Sequence, residues 1–193
     1  MTEEEILIEG CKKKNRAAQE QLYKRYASRM KGICLRYAKD EEEAKDILQE
    51  SFIKIFSHID SFVWQQKFSF EGWLKRIVVN TAISYYKKKK KNHPSYPLED
   101  YENTIHDHEE EEISVNPDVS QTELLQALQE LPEIFRMVFN LFYIENYSHK
   151  EISEALSIDE KTSRTRLFRA KELLRKKLEI VVEMKKKKQS QLQ

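Results

Sequence analysis

Ser148-His149-Lys150-Glu151-Ile152-Ser153-Glu154-Ala155-Leu156-Ser157-Ile158-Asp159-Glu160-Lys161-Thr162-Ser163-Arg164-Thr165-Arg166-Leu167-Phe168-Arg169-Ala170 is the stretch that decides the fold. It opens on S-x-x-E, a capping box in which a hydroxyl and a carboxylate satisfy the first free N–H groups of a helix. Ile152, Ala155 and Leu156 then recur at helical spacing, so a short helix follows. Ser157-Ile158 makes a tight turn. Asp159 caps a longer helix in which Ser163, Leu167, Ala170 and Leu174 face inward. Helix, short turn and capped helix together make a helix-turn-helix. The exposed face of the second helix presents Lys161, Arg164, Thr165, Phe168 and Arg169, with Arg166 nearby. Such a helix lays its N-terminal half against base edges in the major groove. Arginine pairs bidentately with guanine, and Phe or a Thr methyl meets a thymine methyl. Taken alone, the stretch also reads as a charged helical hairpin packed on another protein.

The flanking sequence is helical as well. Leu124, Leu125, Leu128 and Leu131 form a short apolar stripe, and Pro132 restarts the chain in a first helical turn. Ile134, Phe135, Val138, Phe139, Leu141 and Phe142 bury the next helix, which Asn146 can end in left-handed geometry. Far upstream, Leu22 to Tyr37 carries apolar residues at Tyr23, Tyr26, Met30, Ile33, Cys34 and Tyr37. Asp40 and Glu43 resemble a capping box for a second helix, whose buried stripe is Ala44, Ile47, Leu48, Ser51, Phe52 and Ile55. Its other face shows Asp46, Gln49, Glu50 and Lys54. A third helix starts after Ser69, with Phe70, Trp73, Leu74, Ile77, Val78, Thr81 and Tyr85 as its apolar stripe. Arg76, Asn80, Ser84 and Lys87 lie along a different stripe, and Lys87–Lys91 ends the helix. The lysine run reads as a solvated end that favours the helix dipole, or as a phosphate-facing end. Phe62, Trp64, Phe68 and Phe70 precede it, and aromatics beside positive charge suit unstacked bases. Simple hydrophobic packing is the other reading of each of those rings.

Composition bounds the rest. The 193 residues hold 35% charged side chains, three Gly, four Pro and two Cys. So few glycines cannot supply the tight turns of a sandwich or barrel, nor a glycine-rich phosphate loop. No apolar run approaches the roughly 18 residues of a membrane span. The acidic start, Met1-Thr2-Glu3-Glu4-Glu5, lacks the plan of a signal peptide, so a soluble, cytoplasmic chain is expected. Cys11 and Cys34 are too few for a disulfide framework and are expected as reduced thiols. The net charge of +1 hides an uneven distribution. Residues 1–91 carry 20 basic and 13 acidic side chains, residues 92–120 none and 9, and residues 121–193 carry 14 and 11. The middle also holds three of the four prolines and little apolar content, so it reads as a flexible acidic linker. His106-Asp107-His108 with Glu109–Glu112 could be imagined as metal ligands, but a solvated acidic run is the simpler reading. No Ser/His/Asp or Cys/His arrangement suggests an enzyme, and neither metal nor cofactor is expected.

Two motif sets resemble one family in register. Leu131-Pro132-Glu133, Arg136-x-Val138-Phe139, Tyr147 to Ile152, Leu156-Ser157-Ile158, Thr162 and Arg166 to Lys171 look like region 4 of an extracytoplasmic-function sigma factor. Asp46-Ile47-Leu48-Gln49-Glu50-Ser51-Phe52-Ile53-Lys54-Ile55-Phe56 resembles its region 2.2. Phe70-x-x-Trp73-Leu74-x-x-Ile77-x-x-Asn80 resembles regions 2.3 and 2.4. The chain departs from the family at Ser84, where Asp is usual, at Ser157 and Lys161, where Gly is usual, and at Ser163, where an apolar residue is usual.

The resemblance implies an all-α chain of two small helical domains. A region 2 bundle spans 1–91, an acidic linker 92–120, a region 4 helix-turn-helix 121–184 and a basic tail 185–193. It implies a bacterial initiation factor, not an enzyme. Asp46, Gln49, Glu50 and Lys54 would bind core RNA polymerase through the clamp region of its largest subunits. Lys161, Thr162, Arg164, Thr165, Arg166, Phe168 and Arg169 would read the −35 element as duplex. Arg76, Asn80, Ser84 and Lys87, with Phe62, Trp64 or Phe68, would hold the −10 element as an opened strand. An anti-sigma factor is a further implied partner; a small-molecule substrate and membrane insertion are not expected. The acidic linker would suit a basic nucleic-acid channel, or serve only as a solvated spacer. A helix-turn-helix regulator acting without polymerase is the alternative, and would not need residues 20–90. A scaffold or anti-factor binder would tolerate loss of Arg164 and Arg169.

Overall fold

A computed structural model describes residues 1–64, 69–92 and 118–190. The acidic middle, His106-Asp107-His108 and Phe68 lie outside the described residues. All regular structure among the described residues is helical. The chain divides into two compact units, Met1–Lys88 and Lys89–Gln193.

The first unit starts with a helix that the sequence reading passed over. Thr2 Oγ1 accepts from Glu5 N–H, and the Glu5 carboxylate accepts from Thr2 N–H, a capping box that opens α1 (Glu3–Lys12). Three acidic residues in the first turn suit the positive end of the helix dipole. Leu7, Ile8 and Cys11 bury its inner face. Gly10 is required there: a Cβ would stand 2.7 Å from the Ala18 Cβ. Asn15 caps α2 (Arg16–Tyr37), which buries Leu22, Tyr26, Met30, Ile33, Cys34 and Tyr37. The Tyr26 hydroxyl donates to the Glu4 carboxylate and ties α1 to α2. Burial first, and that carboxylate second, push the phenol up to about 12. Asp40 caps α3 (Glu41–His58) through Glu43 N–H, while the Glu43 carboxylate reaches back to Lys39 N–H at 2.6 Å. The α3 stripe is buried as the spacing predicts, from Ala44 to Ile55. A 3-10 turn, Ile59–Ser61, leads toward α4 (Phe70–Asn92).

On α4 the structure corrects the expected stripe. Phe70, Leu74, Val78 and Thr81 are buried, joined by Val79, Ala82, Ile83 and Tyr86. Trp73, Ile77 and Tyr85 are only half-buried. Trp73 and Ile77 lie three and four residues from Arg76, Asn80 or Ser84, which places them along that polar edge of the helix.

The second unit opens with α5 (Gln121–Gln129), capped by Ser120 and Glu123 in a second capping box. Pro132 is the N-cap of α6 (Glu133–Phe139) and lies one position before the first helical turn. Its carbonyl accepts from both Phe135 and Arg136 N–H, so the ring lacks only a donor that the helix start does not need. Arg136, 2% exposed, donates from Nη1 to the Gln129 carbonyl at 2.6 Å and the Leu131 carbonyl at 3.2 Å, at the C-terminal end of α5. The chain widens into a π turn at Asn140–Ile144, and Asn146 adopts φ 57°. Phe142 is half-buried rather than core. Ser148 and Glu151 box the start of α7 (His149–Leu156), and Ser157 ends it in left-handed geometry, φ 54° and ψ 54°. Asp159 then caps α8 (Glu160–Ser190) by accepting from Thr162 N–H at 2.6 Å. Leu128, Phe135, Val138, Leu141, Ile152, Leu156, Leu167 and Leu174 form the core. The basic tail is a continuation of α8 to Ser190, where Lys185 bonds the Asp118 carbonyl and the Glu123 carboxylate, each at 2.7 Å. That lysine, with the Ser120 cap, holds the Glu123 carboxyl down at about 2.

Candidate nucleic-acid interface

The left-handed Ser157 turn sets α8 across α7 with its first two turns free. Lys161 and Arg164 are exposed, and Thr165 and Phe168 half-exposed, on one face at spacings of three, one and three. Arg164 Nη2 lies 3.2 Å from Glu160 Oε2. The Arg169 guanidinium stands 5.9 Å from the Phe168 ring centroid and bonds Glu172 at 2.7 Å. Thr165 and Thr162 spend their hydroxyl protons locally, on the Lys161 carbonyl and the Asp159 carboxylate. Arg166 does not belong to this face. It is 4% exposed, because it lies three residues after Ser163 and four before Ala170, both inward positions. Ser163 itself is fully buried, and its Oγ lies 2.9 Å from His149 Nδ1. The His149 ring stacks on Phe142 with centroids 4.8 Å apart. A polar pair thus joins the two helices of the motif where an apolar contact is usual.

In the first unit, the end of α3, the 3-10 turn and α4 enclose a groove of about 390 Å³. Arg76, Asn80 and Ser84 line it, as their spacing predicts. Lys54, His58 and Ser61 face them across the groove, and Trp73, Ile77 and Thr81 complete the lining. Lys87, half-exposed, lies one turn further along α4. Phe62 is not available to a base. It is 3% exposed and packs on Phe70 at 5.0 Å and Trp73 at 5.4 Å, because the turn before it tucks the ring under α4. Trp64, 44% exposed, meets the edge of that ring and keeps a free face.

Two family models match the chain: Sigma-70 region 2 over residues 22–92, and Sigma-70, region 4 over residues 121–174. The sigma-E factor of Salmonella typhimurium is 31% identical over 187 residues, covering 93% of this chain and 96% of the relative. The chain belongs to the extracytoplasmic-function sigma factors of RNA polymerase. Another such sigma factor, SigW of Bacillus subtilis, is 36% identical over 164 residues, covering 79% of this chain and 84% of the relative. Among solved structures, the sigma factor RpoE of Bartonella quintana, in complex with the anti-sigma factor NepR, is 17% identical with a TM-score of 0.48. The match covers 83% of this chain and 96% of that one. This sigma factor is a transcription initiation factor. A lone helix-turn-helix regulator would leave the region 2 match unexplained.

The third surface of the sigma factor lies on α3. Asp46 and Gln49 are exposed and Glu50 and Lys54 half-exposed, the last two paired at 2.7 Å. Ile53, 63% exposed, lies three and four residues from Glu50 and Gln49 and was not expected on this face. Sequence reasoning also missed His58, Ser61, Trp73 and Ile77 as groove residues. His58 lies four residues after Lys54, so helical spacing alone could have found it. Among the described residues no helix is long and apolar enough to cross a membrane, and no cluster of ligating side chains could hold a metal ion.

Proposed function

We propose that this sigma factor guides core RNA polymerase to promoters by reading two elements in two physical states. The first turns of α8 would enter the major groove of the −35 duplex, with Arg164 on a guanine and Phe168 against a thymine methyl. Lys161 and Arg169 would add phosphate attraction. The α3–α4 groove would take the −10 element as a single strand, with Arg76 and Lys54 drawing phosphates and Trp73 or Trp64 stacking a base. Unstacking a base costs a few kcal/mol, so a groove that holds it favours melting. The observation that carries this reading is the groove itself, which joins an arginine–asparagine–serine stripe to an indole face at the dimensions of a nucleotide.

Asp46, Gln49, Glu50 and Lys54 would dock on the polymerase clamp, and the exposed Ile53 among them supports a protein-facing surface. An anti-sigma factor competing for such surfaces is a further proposed partner. The factor would act in the cytoplasm as a non-catalytic specificity subunit. Its acidic segment, 92–120, would pass through the basic channel that nucleic acid later occupies. Permanganate footprinting of the −10 region with holoenzyme carrying Asn80→Ala tests the groove. Impaired opening with retained duplex binding is expected, and a normal footprint would dismiss the assignment.

A further inference from the structure

The polar atoms of the α3–α4 groove are sorted by sense. Ser61 Oγ donates to the His58 carbonyl at 2.7 Å, Thr81 Oγ1 to the Ile77 carbonyl at 2.8 Å and Ser84 Oγ to the Asn80 carbonyl at 2.8 Å. Each hydroxyl has one proton and spends it on its own helix or turn, so what remains on it is acceptor capacity. His58 is fixed in the same sense. Its Nδ1 lies 2.8 Å from the Lys54 carbonyl and 2.9 Å from Ser57 Oγ. Ser57 Oγ gives its own proton to that same carbonyl at 2.9 Å. A carbonyl cannot donate, so Nδ1 carries the proton of the neutral ring. The tautomer leaves Nε2, on the ring's far side, as a bare acceptor. The donors at the groove are Lys54 and Arg76, whose charge suits phosphates, together with Asn80, whose amide serves both senses.

We propose that His58 Nε2 makes this groove select an amino-bearing base, adenine or cytosine, at one position of the opened strand. This rests on the reading of the groove as the site of the −10 strand. Adenine N6 and cytosine N4 donate and can satisfy Nε2. Thymine O4 and guanine O6 present lone pairs to a lone pair, and both stay unpaired. His58 is therefore a specificity-determining residue contributed by α3, the helix whose outer face is the polymerase surface. It is exposed at the helix end, so its replacement disturbs no core packing.

The test is run-off transcription with purified core polymerase on a promoter library randomised across both elements, comparing wild type, His58→Ala and His58→Arg. Wild type should favour A or C over T and G at one −10 position by roughly three- to tenfold, the worth of one hydrogen bond. His58→Ala should flatten that position alone, with −35 preferences unchanged. His58→Arg, which replaces an acceptor by donors, should turn the preference toward T or G. A structural role would lower all promoters equally, so the inversion separates the two. If wild type discriminates and both variants keep its profile, the inference falls while the reading of the groove stands. If wild type shows −35 preferences and none at −10, both fall.

Discussion

Arg164 and Glu160 form an ion pair 3.2 Å long on the face assigned to the −35 element, with side-chain exposures of 58% and 46%. Arg164→Ala therefore removes two things. A bidentate arginine–guanine contact discriminates by about 1–3 kcal/mol. Against this, the arginine must first leave Glu160, and an exposed i,i+4 pair is worth only about 0.3–0.5 kcal/mol. The net loss on the preferred sequence should be about 1–2.5 kcal/mol, or roughly five- to seventyfold in affinity. Glu160→Gln should act in the opposite direction. It releases Arg164 and removes a negative charge near the phosphates, so promoter binding should tighten about twofold. Holoenzyme titrated against duplexes varied one base pair at a time in the −35 element measures both. The Arg164→Ala loss should be confined to one guanine position. An equal loss on every sequence would make Arg164 a phosphate contact and refute the base-reading role. Weaker binding by Glu160→Gln would refute the pairing logic.

Other consequences concern docking, the turn and the thiols. Asp46→Lys with Glu50→Lys should abolish co-elution with core polymerase while helical circular dichroism is kept, since the pair lost to Lys54 is an exposed one worth about 0.3–0.5 kcal/mol; co-elution of the doubly reversed protein would show the surface is misassigned. Ser157→Gly should stabilise the second unit by about 0.5–1 kcal/mol: relief of a left-handed L-residue gives about 1–2, less about 0.5–1 for the freer unfolded chain. A lower urea midpoint would contradict it. Burial pushes the Cys34 thiol up to about 12 and Cys11 up to about 11. At pH 8 both should resist thiol reagents until the chain unfolds, when two fast equivalents appear. As pH rises past the ordinary thiol range, the unfolded chain loses these protons first, so stability falls. Rapid labelling of native protein would overturn that account.

Much of the fold was legible because the chain marks its helix starts chemically. Ser148, Asp159 and Asp40 each accept an N–H three residues on, as their spacing with Glu151, Thr162 and Glu43 suggested. The α1 start carries the same signature at Thr2 and Glu5, but a run of three glutamates drew attention to charge instead. Arg166 was misread for a related reason. Helical phase placed it inward, between Ser163 and Ala170, and residue type was allowed to override phase. Phe62 and Trp73 were harder. Which ring goes under α4 and which walls the groove depends on how the 3-10 turn at Ile59–Ser61 aims the chain, and periodicity along one helix does not contain that. The tautomer of His58 likewise follows from a carbonyl and a hydroxyl set by helix geometry.

Transcription from defined templates by sigma-free core polymerase, with and without this protein, bears on all three surfaces at once. The account expects discrete start sites that appear only with the protein and depend on base sequence at both the −35 and −10 spacings. Efficient binding of the protein to promoter DNA without polymerase, and no initiation at any start site with it, would contradict the account.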